Sequence, residues 1–229
     1  IVYPLAIKKN TTWIEIPLCL LSAVTVILLA NDKLIDKMTY SSISRIDGYI
    51  LLLFFLVFLS YNITLLKSEQ YNDEILVKDN PVFKSLFLIL IGLVLLIVGG
   101  RIIVVSAVKV ASAIGLSQRV IALTIVSIGT SLPELATSVI AARKKNVDIA
   151  IGNIVGSNIF NVFFILGISS VIHPVSLQPF SNIDMILNIF SSFLLFVFIF
   201  TGKGRRIGMR EGAFFLLIYI LYIGFLIIV

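Results

Sequence analysis

Seven blocks of apolar residues, each near the roughly 20 residues that carry an α-helix across a bilayer, leave this chain little room for a soluble fold. They lie near 14–30, 48–66, 85–108, 118–142, 149–172, 183–201 and 211–229. With 59% hydrophobic and 13% charged residues in 229, and a mean hydropathy of +1.11, the chain has more apolar surface than a soluble core of this size hides. The blocks are continuous, whereas a membrane β-barrel alternates polar and apolar positions in short segments. The expected fold is all-α: a polytopic transmembrane helical bundle set in a lipid bilayer. Trp13, just before the first block, reads as an interfacial anchor. Cys19, the single cysteine, has no partner for an internal disulfide. Arg101 and Lys109 interrupt the third block, so a long tilted helix is expected there, its basic side chains snorkelling or facing protein.

The net charge of +6 does not point to nucleic acid, because most of the basic residues flank the apolar blocks. Seven spans put the connections on alternate sides. One side then holds Lys8, Lys9, Lys67, Lys78, Lys84, Arg143, Lys144, Lys145, Lys203, Arg205, Arg206 and Arg210, and the other only Lys33, Lys37, Arg45 and Arg119. The positive-inside rule places the start of the chain in the cytoplasm and its end outside.

An internal echo adds a topology. Ile1-Val2-Tyr3-Pro4-Leu5 and Val171-Ile172-His173-Pro174-Val175 share a pattern, and two spans follow each. Arg45-Ile46-Asp47-Gly48 and Arg210-Glu211-Gly212 open the second span of each copy. An odd number of spans separates the copies, so they start on opposite sides, as in an inverted-topology repeat. Three spans precede the later copy, and the earlier copy is expected to have had counterparts upstream. The opening residues carry no methionine and no signal peptide, in keeping with preceding sequence that is missing.

The chemistry gathers in two spans. In the first, Ser127, Thr130, Ser131 and Glu134 stand at i, i+3, i+4 and i+7, one helical face. Pro133 has no N–H for the Gly129 carbonyl and disfavours helical geometry at Leu132, so the helix is expected to kink or unwind there and free carbonyl groups. Exposed backbone at that depth is tolerated where it lines a cavity or is buried in protein. A glutamate at mid-span costs about 2.5–3.5 kcal/mol on insertion scales. It marks a function, or else it pins helices by pairing with a basic residue or staying neutral. In the next span Asn153, Ser157 and Asn161 repeat at i, i+4 and i+8. Gly152 and Gly156 form a G-x-x-x-G pair, so this stripe serves either close helix packing or an ion site. Carbonyl, hydroxyl, amide and carboxylate oxygens suit a hard cation such as calcium or sodium. The lone His173, at a span end, reads as structural or solvated.

Gly129-Thr130-Ser131-Leu132-Pro133-Glu134 and Gly152-Asn153-Ile154-Val155-Gly156-Ser157-Asn158-Ile159-Phe160-Asn161 closely resemble the second α-repeat of the calcium/cation antiporter superfamily, in particular bacterial and archaeal sodium/calcium exchanger-like proteins. The resemblance extends over nearly the whole chain. It implies ten helices in two inverted five-helix repeats, with seven of the ten spans present here. Residues 1–66 would be the last two helices of the first repeat, 67–84 a cytoplasmic connecting loop, and 85–229 the second repeat, its ion-binding motif at 118–172. The resemblance implies side-chain ligands from Thr130, Ser131, Glu134, Ser157 and Asn161, with the Ser127 carbonyl facing the site. Glu134 would bridge calcium and sodium positions. It implies a multi-pass protein of a bacterial or archaeal plasma membrane that exchanges calcium against sodium or protons. The transported ions would be its bound cations, with no covalent cofactor, and the missing N-terminal repeat would be its partner in the site. Relatives often carry Asp in one repeat where this chain has Asn161, which opens the identity of the coupling ion.

Two other classes compete. An intramembrane hydrolase needs an activated nucleophile, yet Ser131 and Ser157 have no His or Lys partner evident at helical spacing and Glu134 has no second acid in the two stripes. A carrier of another cation or of a small organic solute needs the same scaffold; for an organic solute the cavity would be roomier than small Gly, Ser and Thr residues suggest.

Overall fold

The computed structural model describes residues 5–7, 10–35, 37, 40–67, 81–116, 118–178, 181–201 and 206–228. Residues 1–4 of the opening motif, Lys8, Lys9, Lys78, Lys203 and Arg205 of the charge tally, and positions 68–80 of the connecting loop lie outside them.

Apolar sequence with no water to satisfy its backbone forms helix, and helices fill the described chain. A π-helical turn, Thr11–Glu15, leads into α1 (Ile16–Leu29), which has Pro17 in its first turn. A single turn, α2 (Asp32–Ile35), precedes α3 (Arg45–Lys67). The long α4 (Val82–Ala113) is followed by α5 (Gln118–Ile121), a second π segment (Ala122–Val126), α6 (Ser127–Thr130) and α7 (Leu132–Arg143). Then come α8 (Val147–Phe160), a third π segment (Asn161–Leu166), α9 (Gly167–Ile172), α10 (Ser181–Thr201) and α11 (Met209–Ile228). Six helical runs are long and apolar enough to cross a membrane, and the bent pair Thr124–Thr130 and Leu132–Arg143 supplies a further candidate.

Two minute antiparallel ladders decide whether that bent pair crosses. β1 (Leu5–Ala6) pairs with β4 (Arg206–Ile207), and β2 (Ser42–Ile43) pairs with β3 (Val175–Ser176). Each ladder requires both its strands on one side of the membrane. Between β2 and β3 lie α3, α4, the bent pair and the continuous run α8–α9, so an even number of crossings results only if the bent pair goes through. The described helices therefore make seven crossings.

The ladders also carry the symmetry of an inverted repeat. The unit β1–α1–β2–α3 corresponds to β3–α10–β4–α11, and exchanging the two units turns one ladder into the other. The acids of the echoed motifs match in role as well. Asp47 is the third residue of α3 and accepts from the Ser44 N–H at 2.7 Å and the Ser44 hydroxyl at 2.6 Å. Glu211 is the third residue of α11, and its Oε2 accepts from the Gly208 N–H at 2.9 Å. Both occupy donors that a helix start leaves unpaired.

The packed interior joins the two units to the motif helices. Ile16, Leu51, Ile159, Phe163 and Ile199 are fully buried, with Phe54 stacked on Phe163 at 5.4 Å. α1 packs on α10 and α8, and α3 on α9. Trp13 is exposed at the start of its span and meets Phe200 at 5.5 Å, as an interfacial anchor would. Cys19 is buried and free. α4 stands apart, packed chiefly along α5, α6 and α7 and the π segment between them. Its 32 residues span about 48 Å, against a hydrocarbon thickness of roughly 30 Å. Arg101 and Lys109, both exposed, lie in the second half of this helix, which overshoots the bilayer or tilts within it.

Candidate functional site

Pro133 shapes the first motif. It lacks an N–H and fits the first turn of a new helix, where that donor has no intrahelical partner. α7 accordingly starts at Leu132, and the chain leaves helical geometry at Ser131, with φ −92° and ψ 0°. The interruption thus falls one residue before the position expected from the proline, because Leu132 and Pro133 together open the new helix. The two halves meet at 51°. The expected single face of Ser127, Thr130, Ser131 and Glu134 is divided between them.

Local bonds hold this turn. The Ser127 carbonyl accepts from the Ser131 N–H at 3.2 Å and from Thr130 Oγ1 at 3.0 Å. α4 passes so close that a Cβ on Gly129 would run into the Val104 side chain, and the Gly129 carbonyl faces Gly100. Ser127, Thr130 and Ser131 are exposed on the described body.

Glu134 is half-buried in the first turn of α7, where the helix dipole favours negative charge. Its Oε2 is buried and has no hydrogen-bond partner among the described residues. Arg101 and Lys109 are exposed and do not pair with it, so the pinning of helices by a buried ion pair is not what this carboxylate does within the described chain. An orphan carboxylate oxygen away from water is costly, and a bound cation or a proton offsets the cost.

The second motif lies alongside on α8, whose start is capped by Asn146 Oδ1 accepting from the Ile149 N–H at 3.3 Å. Asn153 donates to the Glu134 carbonyl and to Ser138 Oγ, both at 3.0 Å. Ser157 donates to the Ile154 carbonyl at 3.1 Å and is half-buried. Asn161 is exposed and opens the third π segment; its side chain makes no hydrogen bond among the described residues. The G-x-x-x-G pair makes no close helix contact here, since a Cβ on Gly152 or Gly156 would meet nothing within 4 Å. That face of α8 is open, and so are the hydroxyls of the first motif.

The structure therefore brings the Glu134 turn and the Asn153–Ser157–Asn161 stripe onto adjacent packed helices. Sequence reasoning missed Ser138, although it stands one turn beyond Glu134 on the same side. It also missed the π segments that end at Val126 and begin at Asn161, each directly beside a motif. π turns of this kind recur at functional sites. His173 is exposed, with Nδ1 2.9 Å from the Pro174 carbonyl, and no group of three or more His, Cys, Asp or Glu gathers among the described residues.

Comparison with known proteins reaches the same segments. The profile of the family described as sodium/calcium exchanger protein matches residues 84–228. CaxA of Alkalimonas amylolytica, an antiporter by name, is 34% identical over 96% of this chain and 69% of its own length. The sodium/calcium exchanger MaX1 of Methanosarcina acetivorans is 42% identical over 61% of this chain and 40% of its own. The solved structure of a sodium/calcium exchanger from Methanococcus jannaschii superposes with a TM-score of 0.75 at 31% identity, covering 98% of this chain and 68% of that one.

Proposed function

The chain belongs to the sodium/calcium exchanger family, and from that premise we propose that it exchanges calcium, or a cation of similar charge and size, against sodium or protons. The observation that carries this reading is the buried Oε2 of Glu134, without a hydrogen-bond partner among the described residues, at the bend between two half-helices. In this reading Thr130, Ser131, Ser157 and Asn161 add side-chain oxygens, and the Ser127 carbonyl, which accepts from the Ser131 N–H and Thr130 Oγ1, joins them when one of those donors turns away. Calcium takes about six to eight oxygens. Because the open hydroxyl face and the open glycines of α8 leave room for a second set, we place the remaining ligands on a matching motif of a first repeat.

Residues 1–66 then form the last two helices of that repeat, 67–84 a cytoplasmic connection and 85–229 the second repeat, a division that the two ladders support. The protein sits in the plasma membrane of a bacterial or archaeal cell. The ends of α7 and α10, with Arg143, Lys144 and Arg206 nearby, face the cytoplasm, and the end of α11 faces out.

Exchange follows from one shared charge. Calcium and the coupling ions each neutralise Glu134 in turn, and a site that carries bare charge resists crossing the low-dielectric centre. Neutral Asn161 leaves Glu134 as the single carboxylate on these two helices' stripes, which favours few coupling charges at this half of the site.

The test is Glu134→Gln in the full-length protein, reconstituted in vesicles with an outward sodium or proton gradient. The amide keeps shape and hydrogen-bonding capacity, so the variant should insert and melt normally while gradient-driven calcium uptake is lost. Near-normal uptake would remove Glu134 from the mechanism.

A further inference from the structure

The forked bond from Asn153 has a purpose that helix packing alone does not require. Both amide hydrogens of Asn153 are spent on α7: one on the Glu134 carbonyl, the other on Ser138 Oγ, each at 3.0 Å. The two acceptors stand one turn apart on α7, and Ser138 is buried. A planar amide that donates to two points along a helix fixes that helix in both height and rotation, which a single bond does not. On α8, Asn153 also stands one turn before Ser157 and two turns before Asn161, so the element it fixes is the one that bears the other stripe.

Nearby contacts leave this task to Asn153. Gly152 and Gly156 meet nothing within 4 Å, so glycine-mediated close approach does not set the spacing on that face. Ser157 and Asn158 both bond back to the Ile154 carbonyl within α8, at 3.1 and 3.0 Å. At the other end of the loop, Asn146 caps its own helix. Of the polar side chains along residues 152–158, only Asn153 bonds across to α7 among the described residues.

We propose that Asn153, seated against Ser138, is a positioning residue for ion selectivity: it sets the separation between the Glu134 carboxylate and the oxygens on α8, and through that distance the cation radius the site accepts. This rests on Glu134 being an ion ligand, as proposed above. Asn153 acts through Glu134, whose helix its two N–H donors hold in place. An Asp at this position keeps the size but turns a donor into an acceptor facing a carbonyl oxygen, so it loses the bond to Glu134 while the Ser138 hydroxyl can still rotate to donate.

The experiment measures calcium and strontium uptake side by side in vesicles holding full-length protein, for Asn153→Ala, Asn153→Asp, Ser138→Ala and Ser138→Thr. The ratio of the two cations does not depend on how much protein is folded, which separates positioning from stability. Expected are a rise of about tenfold in the calcium KM for Asn153→Ala, the size of effect that a lost hydrogen-bond pair gives, with Vmax altered less than KM, and a calcium-to-strontium ratio moved toward strontium. Asn153→Asp should fall in the same direction, Ser138→Ala should show a smaller shift, and Ser138→Thr should restore the ratio. The Asn153→Ala/Ser138→Ala double variant should be no worse than Asn153→Ala alone, because both changes break one fork. An unchanged ratio and KM in both Asn153 variants would overturn the proposal, and so would a Vmax loss with the ratio intact. If Asn153→Ala fails to insert, the Ser138 pair decides by the same ratio. Loss of transport in Glu134→Gln together with wild-type ratios in all four variants defeats this inference alone, whereas normal transport in Glu134→Gln defeats the reading on which it rests.

Discussion

Gly48 on α3 lies against Gly167 at the start of α9, so close that a Cβ on Gly48 would stand 2.8 Å from the Gly167 carbonyl oxygen and 2.9 Å from the Val171 N. Both obstacles are backbone, which cannot rotate aside. This crossing joins the helix that follows β2 to the end of the span that carries the second motif.

Gly48→Ala should therefore destabilise the protein by about 1–3 kcal/mol, the usual cost of forcing an extra methyl into a filled contact. A lowered melting temperature in detergent, with a smaller folded fraction after extraction, is the expected result. Gly224→Ala on α11 is the control, because a Cβ there meets nothing within 4 Å. Equal stability of the two variants would show that α3 and α9 do not meet as described.

Asn161→Asp adds a carboxylate to a stripe that has none, at an exposed position where the side chain makes no competing bond among the described residues. A second acidic oxygen should strengthen calcium binding several-fold and move the exchange toward greater dependence on sodium. Isothermal titration with calcium, alongside uptake driven by sodium or by proton gradients, reads both effects. Calcium affinity and coupling both unaltered would place Asn161 outside the site.

Ser42 and Ser176 are register partners in the second ladder. Antiparallel partners have Cα atoms about 4.5–5.5 Å apart, inside the range a disulfide spans. In a Cys19→Ala background, Ser42→Cys with Ser176→Cys should cross-link under mild oxidation, and cleavage at a protease site engineered between residues 42 and 176 should then leave the two fragments joined until reduction. Failure to cross-link in folded protein would show that the bent helix need not traverse the membrane, since the parity of crossings rests on this pairing.

The spans were legible because hydrophobicity in lipid is a strong, additive signal. α3, α10 and α11 begin within a few residues of where the apolar blocks place them. α4 runs past its block at both ends, since Phe83, Lys84 and the residues after Lys109 continue a helix whose hydrogen bonds do not require apolar side chains. The two motifs were legible as unusual polarity at depth. Their geometry was only partly so: a period of 3.6 puts Ser127 and Glu134 on one face, and the break at Ser131 divides that face between two half-helices bent 51° apart. The π segments at 122–126 and 161–166 leave no compositional trace, since one extra residue in a turn resembles ordinary helix. The pairing of Asn153 with Ser138 was hidden for another reason. Either residue alone is a common helix polar group, and only the antiparallel docking of α7 on α8 makes them neighbours.

The ladders have a consequence for how such a chain is made. Leu5 pairs with Ile207 and Ser42 with Ser176, so each bond of these ladders joins an early residue to a late one. Synthesis proceeds from the N-terminus, and the helices of the first unit reach the bilayer well before their strand partners have been translated. α1 and α3 must therefore wait in the lipid with β1 and β2 unpaired until β3, α10 and the segment before α11 emerge. Segments that enter the membrane early are thus fastened late, and a ribosome stalled before residue 206 releases a chain in which β1 has no partner strand.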